Sequence, residues 1–390
     1  MKLTQITHHD LDGYGAATVV RARADVDRIV HVSRYSDVGP VVAAELARLG
    51  RAGAPERLLI TDLGLEPPAV AFVKDVVALN ARRPAEKRHA LVVLDHHASS
   101  LDQLAAGGLA PGAGLPAWPA LKAVETGDPQ VAVLVDDSRS ATRLAFDHGD
   151  LYGAREAEPA VAEALAVLVE AVDAVDLWQK GRPLFRQGQA LDEVFWDHVT
   201  GYVPLGHPWH DRFVGDLLLG LVARLGAGAD PAAIEREAGA LRAAIVDAML
   251  AGRPGDDATA TTRMRLAPLL AEAPELFRRL KSGAKLSFGL DSGVFQRLSD
   301  AILTSRDAAL VINVGRSGSL SFRSTDGSAL EGARKFRGGG HRDAAGGRFA
   351  ANAPTSLAEA AEQVSAVLYP PEPDPASSPF AVLRDLKARG

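Results

Sequence analysis

The sequence predicts a two-domain α/β protein: an amino-terminal domain on a parallel sheet, a helical connector, and a smaller carboxyl-terminal α/β domain. Three observations point there. Over roughly the first 180 residues, short Val/Leu/Ile-rich runs alternate with helical patterns, which reads as βαβ units on a parallel sheet. A second strand-and-helix pattern occupies about residues 283 to 368. Acids and histidines follow three of the early apolar runs, and open α/β sheets bind ligands at the carboxyl ends of their strands.

In chain order, strands are expected at Leu3–Thr7, Arg28–Ser33, Leu58–Thr61, Ala90–Leu94 and Val131–Val135. They are short and mostly lack polar alternation, as when helices cover both faces. Helices are expected at Gly15–Ala24, Val41–Leu49, Pro67–Asn80, Ala141–His148 and Glu158–Val175. From about 181 to 265 the character changes. Trp196 and Trp209, with His198, His207 and His210, align with no strand. Ile234, Ala238, Leu241, Ile245 and Met249 then recur at helical spacing after Asp230-Pro231, an N-cap and N1 pair. Farther on, Val294–Thr304 reads as a helix, Ala309–Val314 and Leu320–Ser324 as strands joined by a tight turn at Arg316-Ser317-Gly318, and Leu357–Leu368 as a last helix. The domains are accordingly 1–180 and 266–369, with the connector at 181–265 and a stiff Pro-rich tail at 370–390.

Bulk properties narrow the function. The 390 residues suit two domains at about 150 residues each. A net charge of −6 argues against gripping long duplex nucleic acid, which needs many Lys and Arg, but not against a small anionic ligand in one pocket. There are no cysteines, so any metal must be held by His, Asp or Glu. The amino terminus lacks a signal peptide's long apolar stretch, and no run approaches the ~18 apolar residues of a membrane helix. A cytoplasmic protein without membrane partners is expected, its oligomeric state open.

The chemistry lies in four motifs. His8, Asp10 and Asp12 follow the first strand. Carboxylates at i and i+2 of an extended segment lie on one side, about 6–7 Å apart, and repel unless cations lie between them. A plainer role as helix caps or turn formers before Gly13 is also open to them. Asp62 follows the third strand, where it can bridge two cations or serve as a turn acid. Asp95-His96-His97 follows the fourth. An aspartate beside a metal-binding histidine commonly orients it, so His96 is assigned to metal, Asp95 to its support and His97 to the substrate. Mixed His and Asp donors suit Mn²⁺, Mg²⁺, Co²⁺ or Zn²⁺, manganese preferred. Two such ions roughly 3.5–4 Å apart can activate one water and polarise a phosphoryl oxygen. Downstream, Gly338, Gly339 and Gly340 precede His341. Consecutive glycines can expose backbone N–H groups to a phosphate, or simply form a flexible loop. His341 adds a donor, and Arg323 can give a bidentate phosphate contact.

In this order, His8-Asp10-Asp12-Gly13, Asp62, Asp95-His96-His97 and Gly338-Gly339-Gly340-His341 resemble the DHH phosphoesterase superfamily with its DHH-associated second domain. The opening motif resembles the RecJ-like branch, and especially the NrnB-type short-oligonucleotide phosphodiesterases. The resemblance covers most of the chain, leaving out the connector and the tail. It implies a two-manganese site in the first domain, with nucleotide gripped by the second across a cleft. His8, Asp10, Asp12, Asp62 and His96 become metal ligands; His97, Arg323 and His341 become substrate contacts. The family expects one more aspartate after a long helix, and here both Asp173 and Asp176 precede Trp178; Asp173 is favoured. His9 receives no role, and Ser140 near Arg139 is a weak candidate phosphate contact.

The expected activity is hydrolysis of short RNA or linear dinucleotides to mononucleotides by metal-activated water, with Asp62, His96 and His97 at the reacting centre. A single-strand DNA exonuclease of RecJ type and a cyclic nucleotide or adenosine bisphosphate phosphatase share these residues. A non-catalytic nucleotide sensor is the alternative outside the enzymes.

Overall fold

The computed structural model describes residues 2–370 apart from 116, 117, 227, 229 and 351; the expected Pro-rich tail, from 371 on, lies outside the described residues. The chain divides into two compact units, Met1–Val199 with Trp209–Met249, and Thr200–Pro208 with Leu250–Gly390.

The first unit runs β1 (Leu3–His8), α1 (Leu11–Arg23), β2 (Val26–Val32), α2 (Tyr35–Arg51), β3 (Arg57–Thr61), α3 (Pro67–Ala81), β4 (Ala90–Asp95), α4 (Ala98–Ala106), β5 (Pro111–Leu115), β6 (Trp118–Val124) and β7 (Val131–Val135). There follow α5 (Ala141–Asp147), α6 (Gly149–Tyr152), α7 (Pro159–Asp176), α8 (Phe185–His198), α9 (His210–Leu225) and α10 (Pro231–Leu250). Three helices of the expected connector, α8 to α10, thus belong to the first unit. The strand order is β2-β1-β3-β4-β7-β6-β5. The first five pair in parallel, and β6 runs antiparallel to both neighbours.

Each central strand buries both faces. Leu58, Ile60, Leu91 and Val93 pack with Val42, Leu49, Phe72 and Val73 of α2 and α3. The intervening Leu59, Val92 and Leu94 pack with Val19, Leu144, Leu165 and Val169 of α1, α5 and α7. Each such side chain contributes roughly 1.5–3 kcal/mol by leaving water, and no polar alternation survives because neither face meets solvent. The hairpin β5–β6 is missing from the sequence reading because Gly112, Gly114 and Pro119 interrupt any strand pattern.

Register positions the site. Ile6 pairs with Ile60, and Thr61 with Leu94. Continuing both pairings places His8, Asp62 and Asp95 in one row at the carboxyl ends of adjacent strands. Because β2 and β3 flank β1 on opposite sides, this row crosses the topological switch point of the sheet, the usual ligand crevice of doubly wound folds.

The second unit contains α11 (Thr262–Ala271), β8 (Arg278–Arg279), β9 (Lys285–Phe288), α12 (Ser292–Thr304), β10 (Leu310–Val314), β11 (Ser319–Ser324), α13 (Ser328–Lys335), β12 (Gly339–His341), β13 (Ala344–Arg348) and α14 (Leu357–Leu368). Its sheet order is β12-β13-β11-β10-β9-β8. Only β9 and β10 pair in parallel. The expected turn between β10 and β11 is present, with Gly318 at φ 79°. Leu286, Ile312, Val314, Phe322, Ala333 and Val364 fill the core. Among the described residues no helix is long and apolar enough to cross a membrane.

Candidate metal centre

Where β1 ends, Asp10 caps α1: its Oδ1 accepts the Gly13 N–H at 3.0 Å. The chain turns this tightly because residue 13 is glycine; a Cβ there would lie 2.2 Å from the His8 carbonyl oxygen. Asp10 Oδ2 lies 2.5 Å from His8 Nδ1. Cap and cluster member are thus one residue, using different oxygens. Asp12, in the first turn of α1, accepts the N–H groups of Ala141 and Thr142 at 2.7 and 2.9 Å. These are the open donors at the start of α5.

Asp62 follows β3 with φ 52°, a left-handed conformation rare outside glycine. Its Oδ1 is 3.1 Å from His96 Nε2, and its Oδ2 is 4.0 Å from His8 Nδ1. Oδ2 is buried with no hydrogen-bond donor. His96 reaches further, with Nε2 3.6 Å from Asp12 Oδ2 and Nδ1 3.5 Å from Asp176 Oδ2. His8, Asp10, Asp12, Asp62, His96 and Asp176 therefore form one row of donors.

Crowding distorts their acidity. Burial, reinforced by Asp10 and Asp12, pushes the Asp62 carboxyl well above its ordinary value. Burial, then Asp12 and Asp10, pushes Asp176 up to about 8. Burial also raises Asp12, although His96 opposes it. For Asp10 burial acts upward too, but hydrogen bonds with His8 and Asp62 prevail and hold the group far below the usual carboxylate range. Four carboxylates of opposed acidity, two imidazoles and an undonated buried oxygen fit divalent cations, whose charge removes the repulsion.

Several expected placements are corrected. Asp173 does not join the row. Its Oδ1 accepts the Ser140 N–H at 2.7 Å and its Oδ2 lies 2.6 Å from Arg182, in a site 1% exposed. One helical turn on, Asp176 faces His96 instead. Asp95 supports His97 rather than His96: its Oδ1 accepts from His97 Nδ1 at 2.8 Å, and Ser100 Oγ donates to its Oδ2. That hydrogen bond raises the His97 pKa against the opposing effect of burial. Ser140 is the buried N-cap of α5, while Arg139, half-exposed, lies 5.5 Å over the Trp118 ring and 3.7 Å from Asp147.

In the second unit, Gly339 and Gly340 lie in an edge strand, β12, rather than in a loop, and Gly338 immediately precedes it. Gly339 pairs with Gly346 and His341 with Ala344. Of the three glycines only Gly340 has positive φ, at 140°. Glycine at 338 answers strand contact, since a Cβ there would lie 1.9 Å from the Gly346 oxygen, whereas at 339 it would meet open space. Arg323 and His341 each pair with Ala344 and so share a sheet face, one strand apart. Arg323 donates to Gln296 Oε1 at 2.9 and 3.1 Å. An open cavity of about 990 Å³ elsewhere in this unit, between α11 and α12, includes none of these residues.

A second histidine group was not legible in the sequence. Tyr14 Oη lies 2.5 Å from His210 Nε2 and 3.1 Å from His9 Nδ1, while its ring stacks on His31 at 3.9 Å. His31 Nε2 is in turn 2.6 Å from Asp211 Oδ1. This network joins β2 and α1 to the start of α9, and it accounts for His9 and His210.

The chain shares its fold with a Helicobacter pylori protein. That structure, an uncharacterized protein from strain G27, has a TM-score of 0.70 at 20% identity, covering 94% of this chain and 99% of that one. RecJ from Thermus thermophilus in complex with Mn²⁺ matches at 17% identity and a TM-score of 0.22, over 96% of this chain and 52% of that one. The pGpG-specific phosphodiesterase PggH from Vibrio cholerae matches at 16% and 0.24, over 94% and 99%. No family model and no curated protein matches the chain.

Proposed function

We propose that this chain is a divalent-metal-dependent phosphodiesterase of the NrnB type, hydrolysing short RNA or linear dinucleotides to mononucleotides. The observation that carries the reading is Asp62: a strained, buried carboxylate with one undonated oxygen, set between His8 and His96. Backbone strain of this kind persists only where surrounding structure or function enforces it. His8, Asp10, Asp12, Asp62, His96 and Asp176 would hold two cations, manganese preferred for its tolerance of mixed nitrogen and oxygen donors. When bound, such ions supply Lewis acidity toward the phosphodiester and a water acidic enough to attack it.

The remaining chemistry belongs to the protein. Asp95, with Ser100 on its second oxygen, accepts only, so His97 Nδ1 donates and its Nε2 is left to face the substrate. The raised pKa keeps that ring protonated closer to neutrality, suiting it to hold a phosphate oxygen or to protonate the leaving oxygen. The β12 edge with Gly338, Gly339, Gly340 and His341, together with Arg323, is proposed as a phosphate-binding element of the second unit.

The test is turnover of a panel of linear and cyclic dinucleotides and longer RNA and DNA strands, with manganese and with chelator. Linear dinucleotides should be cut best, and only with metal. Asp62→Ala should abolish turnover. Near-normal activity of that variant would refute the site, and a preference for the longest DNA strands would favour the exonuclease instead.

A further inference from the structure

The proposed phosphodiesterase site needs a way to hold a substrate too short to grip by its backbone. We infer that Tyr35, stacked beside His8, and Trp178, just past Asp176 in the chain, are stacking platforms for the two unpaired nucleobases of a short substrate. The inference rests on the phosphodiesterase reading and adds the groups that would select its substrate.

Both rings are largely exposed although they are large and aromatic. Tyr35 is 46% exposed and Trp178 61%, among the few large apolar side chains so open to solvent. Tyr35 stacks beside His8, with ring centroids 5.9 Å apart at 23°. It also borders His97: a Cβ on Gly64 would lie 3.4 Å from Tyr35 Cε1 and 3.8 Å from His97 Cγ. Followed by contacts, the row runs from Tyr35 to His8, Asp62, His96 and Asp176. Trp178 stands two residues beyond Asp176 in the chain, just past the end of α7.

Trp178 is also strained. Its φ of 54° is left-handed, a costly choice for a bulky residue. The same turn that ends α7 beside Asp176 thus lifts the indole into solvent, with Lys180 Nζ 5.0 Å from its centroid and Phe185 edge-on at 5.5 Å. An aromatic face beside a cation suits a nucleobase attached to a phosphate. Stacking tolerates any base because every base has a π-face, so the two rings would favour length over sequence.

The experiment compares a linear dinucleotide with its abasic sugar–phosphate counterpart, using full-length wild type, Trp178→Ala, Tyr35→Ala and Trp178→Phe with manganese. On the dinucleotide each alanine variant should lose on the order of tenfold or more in kcat/KM, mainly through KM, as expected for one lost base stack. On the abasic substrate they should match wild type, and Trp178→Phe should recover most of the loss. Equal losses on both substrates, or none on either, would overturn the inference. If wild type cuts neither substrate, the phosphodiesterase reading fails on its own. Indole fluorescence then decides: a dinucleotide should quench wild type but not Trp178→Ala, and equal quenching, or none, would overturn the stacking role.

Discussion

Asparagine at 173 and at 176 should have opposite effects, although the two aspartates lie one turn apart on α7. Asp173 is held by Arg182 at 2.6 Å, by the Ser140 amide at 2.7 Å and by Arg143 at 3.6 Å. Asparagine can still accept the amide but leaves two guanidinium groups facing a neutral partner. Breaking a buried pair costs about 3–5 kcal/mol, and because Arg182 also contacts Glu170 the lower end, about 3 kcal/mol, applies. At roughly 2–4 °C per kcal/mol for a domain of this size, Asp173→Asn should lower Tm by roughly 6–12 °C. Asp176→Asn should raise Tm in chelator. The folded pKa of Asp176, about 8, lies above the unfolded value. Its ionisation therefore opposes folding increasingly as pH rises from about 4 to about 8, and asparagine removes that opposition. The gain should be small near pH 5 and largest near pH 8. Adding manganese should narrow the gap between the two, since Asp173→Asn keeps the metal-induced rise in Tm and Asp176→Asn loses much of it. Differential scanning fluorimetry across pH, with and without manganese, reads all four quantities. A stable Asp173→Asn protein that no longer responds to manganese would refute the assignment and restore Asp173 as the ligand.

Manganese binding near pH 7 should release protons, because Asp62 and Asp176 hold theirs above the ordinary carboxylate range until a cation displaces them. Calorimetry in buffers of different ionisation enthalpy measures this, and a heat independent of buffer would contradict the raised values. In the second unit, Gly338→Ala should destabilise by more than about 1 kcal/mol, as overpacking against backbone does, because its Cβ would meet the Gly346 oxygen at 1.9 Å. Gly339→Ala, facing open space, should leave chemical denaturation unchanged. Equal effects of the two would show that β12 does not pair as described.

The parts of the fold legible in the sequence were those with one cause. Central strands such as Leu58–Thr61 and Val131–Val135 announce themselves because they are runs of almost wholly apolar residues that bury one face fully and the other fully or in part. The strand ends carry the acids because side chains there leave the sheet toward the crevice. What could not be read depends on partners distant in sequence. Asp173 and Asp176 differ by one helical turn, and only the positions of Arg182 and His96 decide which carboxylate turns where. Asp95 could support either neighbouring histidine, and Ser100 fixes it toward His97. Gly338 and Gly339 look identical in sequence, yet only the first abuts a neighbouring strand. Tyr14, His31 and His210 meet through three separate elements, and no local pattern predicts that.

The cluster also has to survive as protein before any cation arrives, and the helix starts explain how four carboxylates can be gathered there. Asp10 caps α1 and Asp12 accepts the first two amides of α5. Each helix start presents partial positive charge, worth typically about 0.3–1 kcal/mol to an adjacent anion and up to about 2 kcal/mol when partly buried. These backbone amides anchor both aspartates, although burial still raises the Asp12 carboxyl above its ordinary value. Asp62 and Asp176 have no helix start of their own, and burial with the neighbouring carboxylates raises their pKa values. The row is thus divided into two carboxylates anchored by backbone amides and two whose charge is opposed by histidines, His8, His96 and His97, and by an incoming cation. Removing Asp10 or Asp12 should cost folding as well as metal affinity, whereas removing Asp62 or Asp176 should cost metal affinity alone.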